Sequence, residues 1–117
     1  MSQRKNRKSA RRSPETAIMD AVRELAEPLA PTTVQDWFID GLGLLDIWIN
    51  IPGGTEEAKL TTLLENLRLR LIEQFSELKP PYGCSLVLTC AEQGFGSVHL
   101  SKENPTNAKL LLNSANP

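Results

Sequence analysis

Leu44-Leu45-Asp46-Ile47-Trp48-Ile49-Asn50-Ile51 is the stretch on which the fold turns. Leu45, Ile47, Ile49 and Ile51 alternate with Leu44, Asp46, Trp48 and Asn50, the period of a strand with one buried face. Pro52-Gly53-Gly54 ends it. A second alternation fills residues 84–91, with Cys84, Leu86, Leu88 and Cys90 on one side and Ser85, Val87 and Thr89 on the other. A turn at Gln93-Gly94-Phe95-Gly96 then lets Val98 and Leu100 pair back as a hairpin strand.

The segment between these strands reads as a core helix. Thr55 caps it, Glu56 and Glu57 complement the positive end of its dipole, and Leu60, Leu63, Leu64, Leu67, Leu71, Phe75 and Leu78 form its inward stripe. Lys79 and Pro80-Pro81 stop it. Upstream, Ser13-Pro14 is an N-cap followed by proline at the first helical position, and Ile18, Ala21, Val22 and Leu25 recur at helical steps until Pro28 breaks the run. Residues 34–38 read two ways, as a single turn capped by Thr32 or Thr33 or as an extended strand, and the residues leave both open. The order helix, possible strand, strand, helix, strand, strand fits an α+β fold. Its expected form is a two-layer sandwich, two helices packed on one face of a small, mainly antiparallel sheet.

One hundred and seventeen residues, 40% hydrophobic and 23% charged, suffice for one domain. The net charge of −1 conceals a division. Arg4, Lys5, Arg7, Lys8, Arg11 and Arg12 place six cations in the first twelve residues with no acid among them, whereas the remainder holds all 14 acids against seven Lys and Arg, a balance of −7. Residues 1–12 have too few apolar side chains to bury and are expected to form a flexible, disordered arm. Residues 13–101 form the domain and residues 102–117 a C-terminal tail that docks or frays around Leu110-Leu111-Leu112. The tail of cations has the composition of a transit sequence but lacks the apolar residues for an amphipathic one. With no apolar run of 18 residues and no secretory leader, the expectation is a soluble cytoplasmic protein without membrane contact, and two cysteines without framework spacing suit a reducing compartment.

Helices on one sheet face leave the other as a display surface carrying Asp46, Trp48 and Asn50, then Ser85, Val87 and Thr89, then Ser97, His99 and Ser101. Trp48 stands out there. A large ring with an indole N–H among small polar groups is a common anchor for a partner, and Trp48, Thr89 and His99 are the partner-binding candidates on this face. A covered Trp48, sealed under residues 37–38 or under the tail, is the competing expectation. On the long helix, Leu69 points roughly opposite Leu60, so the outer strip through Ala58, Thr62, Glu65, Leu69 and Ser76 is a second candidate contact surface for a protein partner or another subunit.

Other chemistries find little support. Ile51-Pro52-Gly53-Gly54-Thr55 has the layout of an anion loop, but Glu56 and Glu57 stand where the anion belongs and no lysine follows. Cys84 and Cys90, six apart on one strand and so roughly 20 Å from each other, cannot share a metal or a disulfide, and no metal or cofactor is expected. His99 is the single histidine, so any Ser, His and Asp set must use it, and Ser97 and Ser101 lie on its own strand without an acid in that strand. The expected function is a noncatalytic binding or adaptor module making protein contacts or forming a homo-oligomer. A nucleic-acid-associated protein using the six arm cations as polyanion contacts is the alternative, and an enzyme built on His99 a third reading.

Overall fold

A computed structural model describes residues 13–113. The expected disorder of the arm and its six polyanion-binding candidates, Arg4, Lys5, Arg7, Lys8, Arg11 and Arg12, lie outside the described residues. The fold is α+β, two helices and a five-stranded mixed sheet.

Helix α1 (Pro14–Ala26) begins where Ser13 Oγ accepts the Thr16 N–H at 3.1 Å and proline occupies the first turn. It buries Ile18, Met19, Ala21, Val22 and Ala26. Pro28 ends it through a 3-10 turn over Glu27–Leu29, closed by Ala30 N–H on the Glu27 carbonyl. Strand β1 (Thr33–Ile39) follows, so the two-way reading of residues 34–38 resolves as a strand. It pairs antiparallel with β2 (Leu44–Ile51) across a tight 3-10 turn at Asp40–Leu42.

Helix α2 (Glu57–Leu78) then buries Leu60, Leu63, Leu64, Leu67, Leu71 and Phe75. Thr55 is not its cap. The Thr55 hydroxyl donates to the Pro52 carbonyl at 2.9 Å and closes the preceding turn, where Gly54 has φ +90°, while the helix starts from Glu56 without a side-chain cap. Because α2 carries the chain back along the sheet, β3 (Gly83–Cys90) runs parallel to β2, the crossover that parallel pairing requires. The other pairings are antiparallel.

The hairpin into β4 (Gln93–Leu100) differs from its sequence reading. Gln93 to Gly96 belong to the strand, and the turn is Ala91-Glu92, both with positive φ (51° and 65°) and neither a glycine. Such backbone is costly for residues with a Cβ and persists only where neighbours over-determine it. Here Ala91 N–H bonds the Ile51 carbonyl and Glu92 N–H bonds Asn50 Oδ1. Strand β5 (Lys109–Leu112) completes the order β1-β2-β3-β4-β5 from within the stretch read as a tail, beyond residue 101.

One cluster holds the core. Ile18, Val22, Leu64, Leu67, Leu71 and Phe75 from the helices pack with Leu45, Ile47, Ile49, Ile51, Leu86, Leu88 and Val98 from the sheet, every one of them essentially without solvent contact. Gly96 permits a close approach of helix and sheet, since a Cβ there would lie 2.5 Å from Leu64 Cδ2 of α2 and 2.8 Å from the Leu111 carbonyl of β5.

Candidate sheet-face docking surface

Burial of the Leu45, Ile47, Ile49 and Ile51 set turns the alternate residues of β2 outward, because successive strand side chains point to opposite faces. Register then builds rows across this open face. One row runs Gln35, Trp48, Val87, Ser97, Leu111, and the next runs Trp37, Asp46, Ser85, His99, Lys109. Trp48 is 39% exposed and Trp37 45%, so the expectation of a sealed indole fails. Both candidate covers are placed: residue 37 stands beside Trp48, and Leu111 of the tail lies in its row at the far edge, 56% exposed.

The two rings are diagonal neighbours on adjacent strands. Their centroids are 6.5 Å apart with planes 11° from parallel, within the range where aromatic pairs attract. Trp48 Nε1 donates to Asp46 Oδ2 at 2.9 Å, which fixes the ring and sets a carboxylate beside it. Between Glu24 and Ala58 the chain has seven acids and no Lys or Arg, so the β1–β2 half of the molecule is acidic. Lys109 is the cation of the face and stands at the other end of its row.

The remaining candidates do different work. Thr89 lies in the open face, but its hydroxyl donates to Asn50 Oδ1 at 2.5 Å; Asn50 in turn donates to Thr32 Oγ1 at 2.8 Å and receives the Glu92 N–H at 2.8 Å. Thr89 therefore helps Asn50 hold the β1, β2 and β3 ends around the glycine-free turn. His99 is half-buried, with Nε2 3.0 Å from Ser97 Oγ. Asp46, the acid of its row, is two strands away and accepts the Trp48 indole. A groove of about 700 Å³ opens at this end, with Gly43, Ser85, His99, Lys102, Asn104 and Lys109 on its walls. Cys84 also borders it, yet burial, with a smaller contribution from Asp46, pushes that thiol up to about 12, so it is protonated and a poor nucleophile at neutral pH. Among the described residues no group of three His, Cys, Asp or Glu is placed to hold a metal ion. No helix there is long and apolar enough to cross a membrane.

Leu69 is 53% exposed on the outer side of α2, as its helical phase requires. Nearby cations there are paired: Arg68 with Glu65 at 2.7 Å, and Arg70 with Glu24 and Glu73 at 3.7 and 3.8 Å. The helix strip and the Trp48 face are on different sides of the molecule, so these two sequence candidates do not form one surface. Trp37 and Leu111 are the residues that sequence reading missed. Only the assumption that residues 33–39 are a strand would have singled out Trp37.

At the β1 edge the covered face gives out. Asp36 and Phe38 point to the helix side, where Phe38 packs edge-on to Tyr82 at 4.8 Å and Tyr82 packs on Phe75 at 6.1 Å. Glu15, in the first turn of α1, shares a hydrogen bond with Asp36; this contact, then burial and the like charge, raises its carboxyl above the usual range. Burial, followed by Glu15 and Cys84, pushes the Tyr82 phenol up to about 12.

No protein-family model, curated protein or solved structure matches the chain.

Proposed function

We propose that this chain is a noncatalytic binding module whose open sheet face docks a protein partner, with Trp37 and Trp48 as its anchor. The supporting observation is the parallel pair of exposed indoles, one of them held by Asp46, on a face that no helix of the described residues covers. In this reading the two helices form one layer and the sheet the other, so that the sheet is stiffened from behind and the rings are pre-oriented. Pre-oriented aromatics bind with little loss of side-chain freedom, which is why such residues dominate contact energies. A hydrolytic reading is disfavoured because the His99 ring meets the Ser97 hydroxyl, and among the described residues no carboxylate hydrogen-bonds that ring to orient it.

The test compares proteins captured from a lysate by full-length wild type, by Trp37→Ala/Trp48→Ala and by Leu69→Glu, with circular dichroism confirming that each bait is folded. Partners lost with the double variant and kept by Leu69→Glu are the expected result. Loss with Leu69→Glu alone would move the surface to the outer strip of α2, and identical capture by all three would end the proposal.

A further inference from the structure

The surface just described is acidic and aromatic, and the same chain carries its complement. Residues 1–12 hold six cations and no acid, while the following 46 residues hold nine acids and one cation, Arg23. The described chain starts at Ser13, and two residues later Glu15 lies against Asp36, next to Trp37 on the edge strand β1. The basic segment therefore joins the body beside the edge that separates the helix side from the open face.

Reach is ample. From the helix layer to the open side is roughly 10 Å, and two strand spacings add about 10 Å more. Nine residues, 4–12, extended span up to about 30 Å. By chain length alone, Glu15 and Asp36 are within reach of Arg11 and Arg12, and Trp37, Trp48 and Asp46 within reach of residues 4–8. Guanidinium groups stack on indole faces and pair with carboxylates, and both partners are adjacent here. A second copy is a worse occupant, because it would set one acidic β1–β2 half against another.

We propose that residues 4–12 turn round the β1 edge of their own chain and dock on the open sheet face, cations over Trp37 and Trp48 and against Asp46. The chain so occupies its own docking surface, and a partner must displace the segment. This rests on the reading of the open face as a docking surface.

Tryptophan emission reports on this face alone, since the chain has two tryptophans and both stand there. The experiment measures acrylamide quenching of the full-length protein and of a full-length variant with Arg4, Lys5, Arg7, Lys8, Arg11 and Arg12 all changed to Gln. The buried apolar core lies between Ile18 and Ala108, so these changes leave it intact. At about 0.01 M salt, where charges act over ~30 Å, quenching of the wild type should be about two- to five-fold weaker, the protection one exposed cation–π contact supplies. Near 1 M salt, or with heparin added to draw the cations away, the two proteins should quench alike. Protection should be independent of concentration, with light scattering giving a monomer. Equal quenching at low salt overturns the proposal, as does protection that grows only with dimer mass. If quenching is equal while capture still depends on the tryptophans, the docked segment alone is lost. If capture also ignores the tryptophans, the docking surface itself falls.

Discussion

The two faces of one sheet are built from the same strands and have opposite fates. On the helix side, Leu45, Ile47, Ile49, Leu86, Leu88 and Val98 meet α1 and α2 and are sealed from water. On the other side, Trp48, Val87, Ser97 and His99 occupy the intervening positions and keep solvent contact. Neither side is simply polar. The open side holds two indoles and Leu111, and what distinguishes it is that no helix among the described residues lies over it, which leaves large apolar groups available to another segment or partner.

Adjacent residues on β3 give the sharpest way to break this contrast. Leu86→Ala removes buried methyl groups beneath α2 and should cost about 2–5 kcal/mol in urea unfolding. Val87→Ala, one residue on but facing out, should cost under about 1 kcal/mol. Both are measured near 1 M salt, where the basic segment is screened; comparable losses there would mean that the open face is covered by something else, and the contrast between the two sides would collapse.

Legibility in the sequence followed the same division. Where one face of an element is fully covered, its periodicity is clean, and β2, β3 and the α2 stripe were readable from spacing alone. At the edges burial is partial and the pattern fades. In β1, Val34, Asp36 and Phe38 share one side and Gln35, Trp37 and Ile39 the other, so each side mixes polarity and alternation carries no signal. The glycine-free turn at Ala91-Glu92 was hidden because its support comes from Asn50 and Ile51, some forty residues earlier. Strand β5 depends on pairing with β4, which no local pattern announces. Trp48 was thus found on the face and its neighbour Trp37 was not, while Leu69, correctly read as exposed, belongs to another side.

The Trp37–Trp48 contact should be worth less than a core side chain and more than a surface accident. A double-mutant cycle through Trp37→Ala and Trp48→Ala, followed by circular dichroism in urea, is expected to give a coupling of about 0.5–1.5 kcal/mol. A coupling near zero would show that each ring is held by the sheet alone, and would remove the case for a paired platform.

The smallest effect concerns the place where the two faces meet. The Glu15 carboxyl, raised by its hydrogen bond with Asp36, by burial and by the like charge, favours its protonated form in the folded chain. A carboxyl raised on folding binds more protons folded than unfolded, so stability is greatest below the unfolded value and falls as pH climbs through the folded one. Both residues are half-buried and keep solvent contact, which keeps the fall shallow. Asp36→Asn removes the charge and offers an amide N–H to the Glu15 carboxylate. The urea midpoint should then change less across the acidic side of neutrality and stand slightly higher at pH 7, with the slope of the transition unaltered. Measured at high salt, so that the basic segment is screened, a wild-type midpoint that instead rises with pH across that window would mean that Asp36 does not raise the Glu15 carboxyl, and that the start of α1 is not moored to the β1 edge.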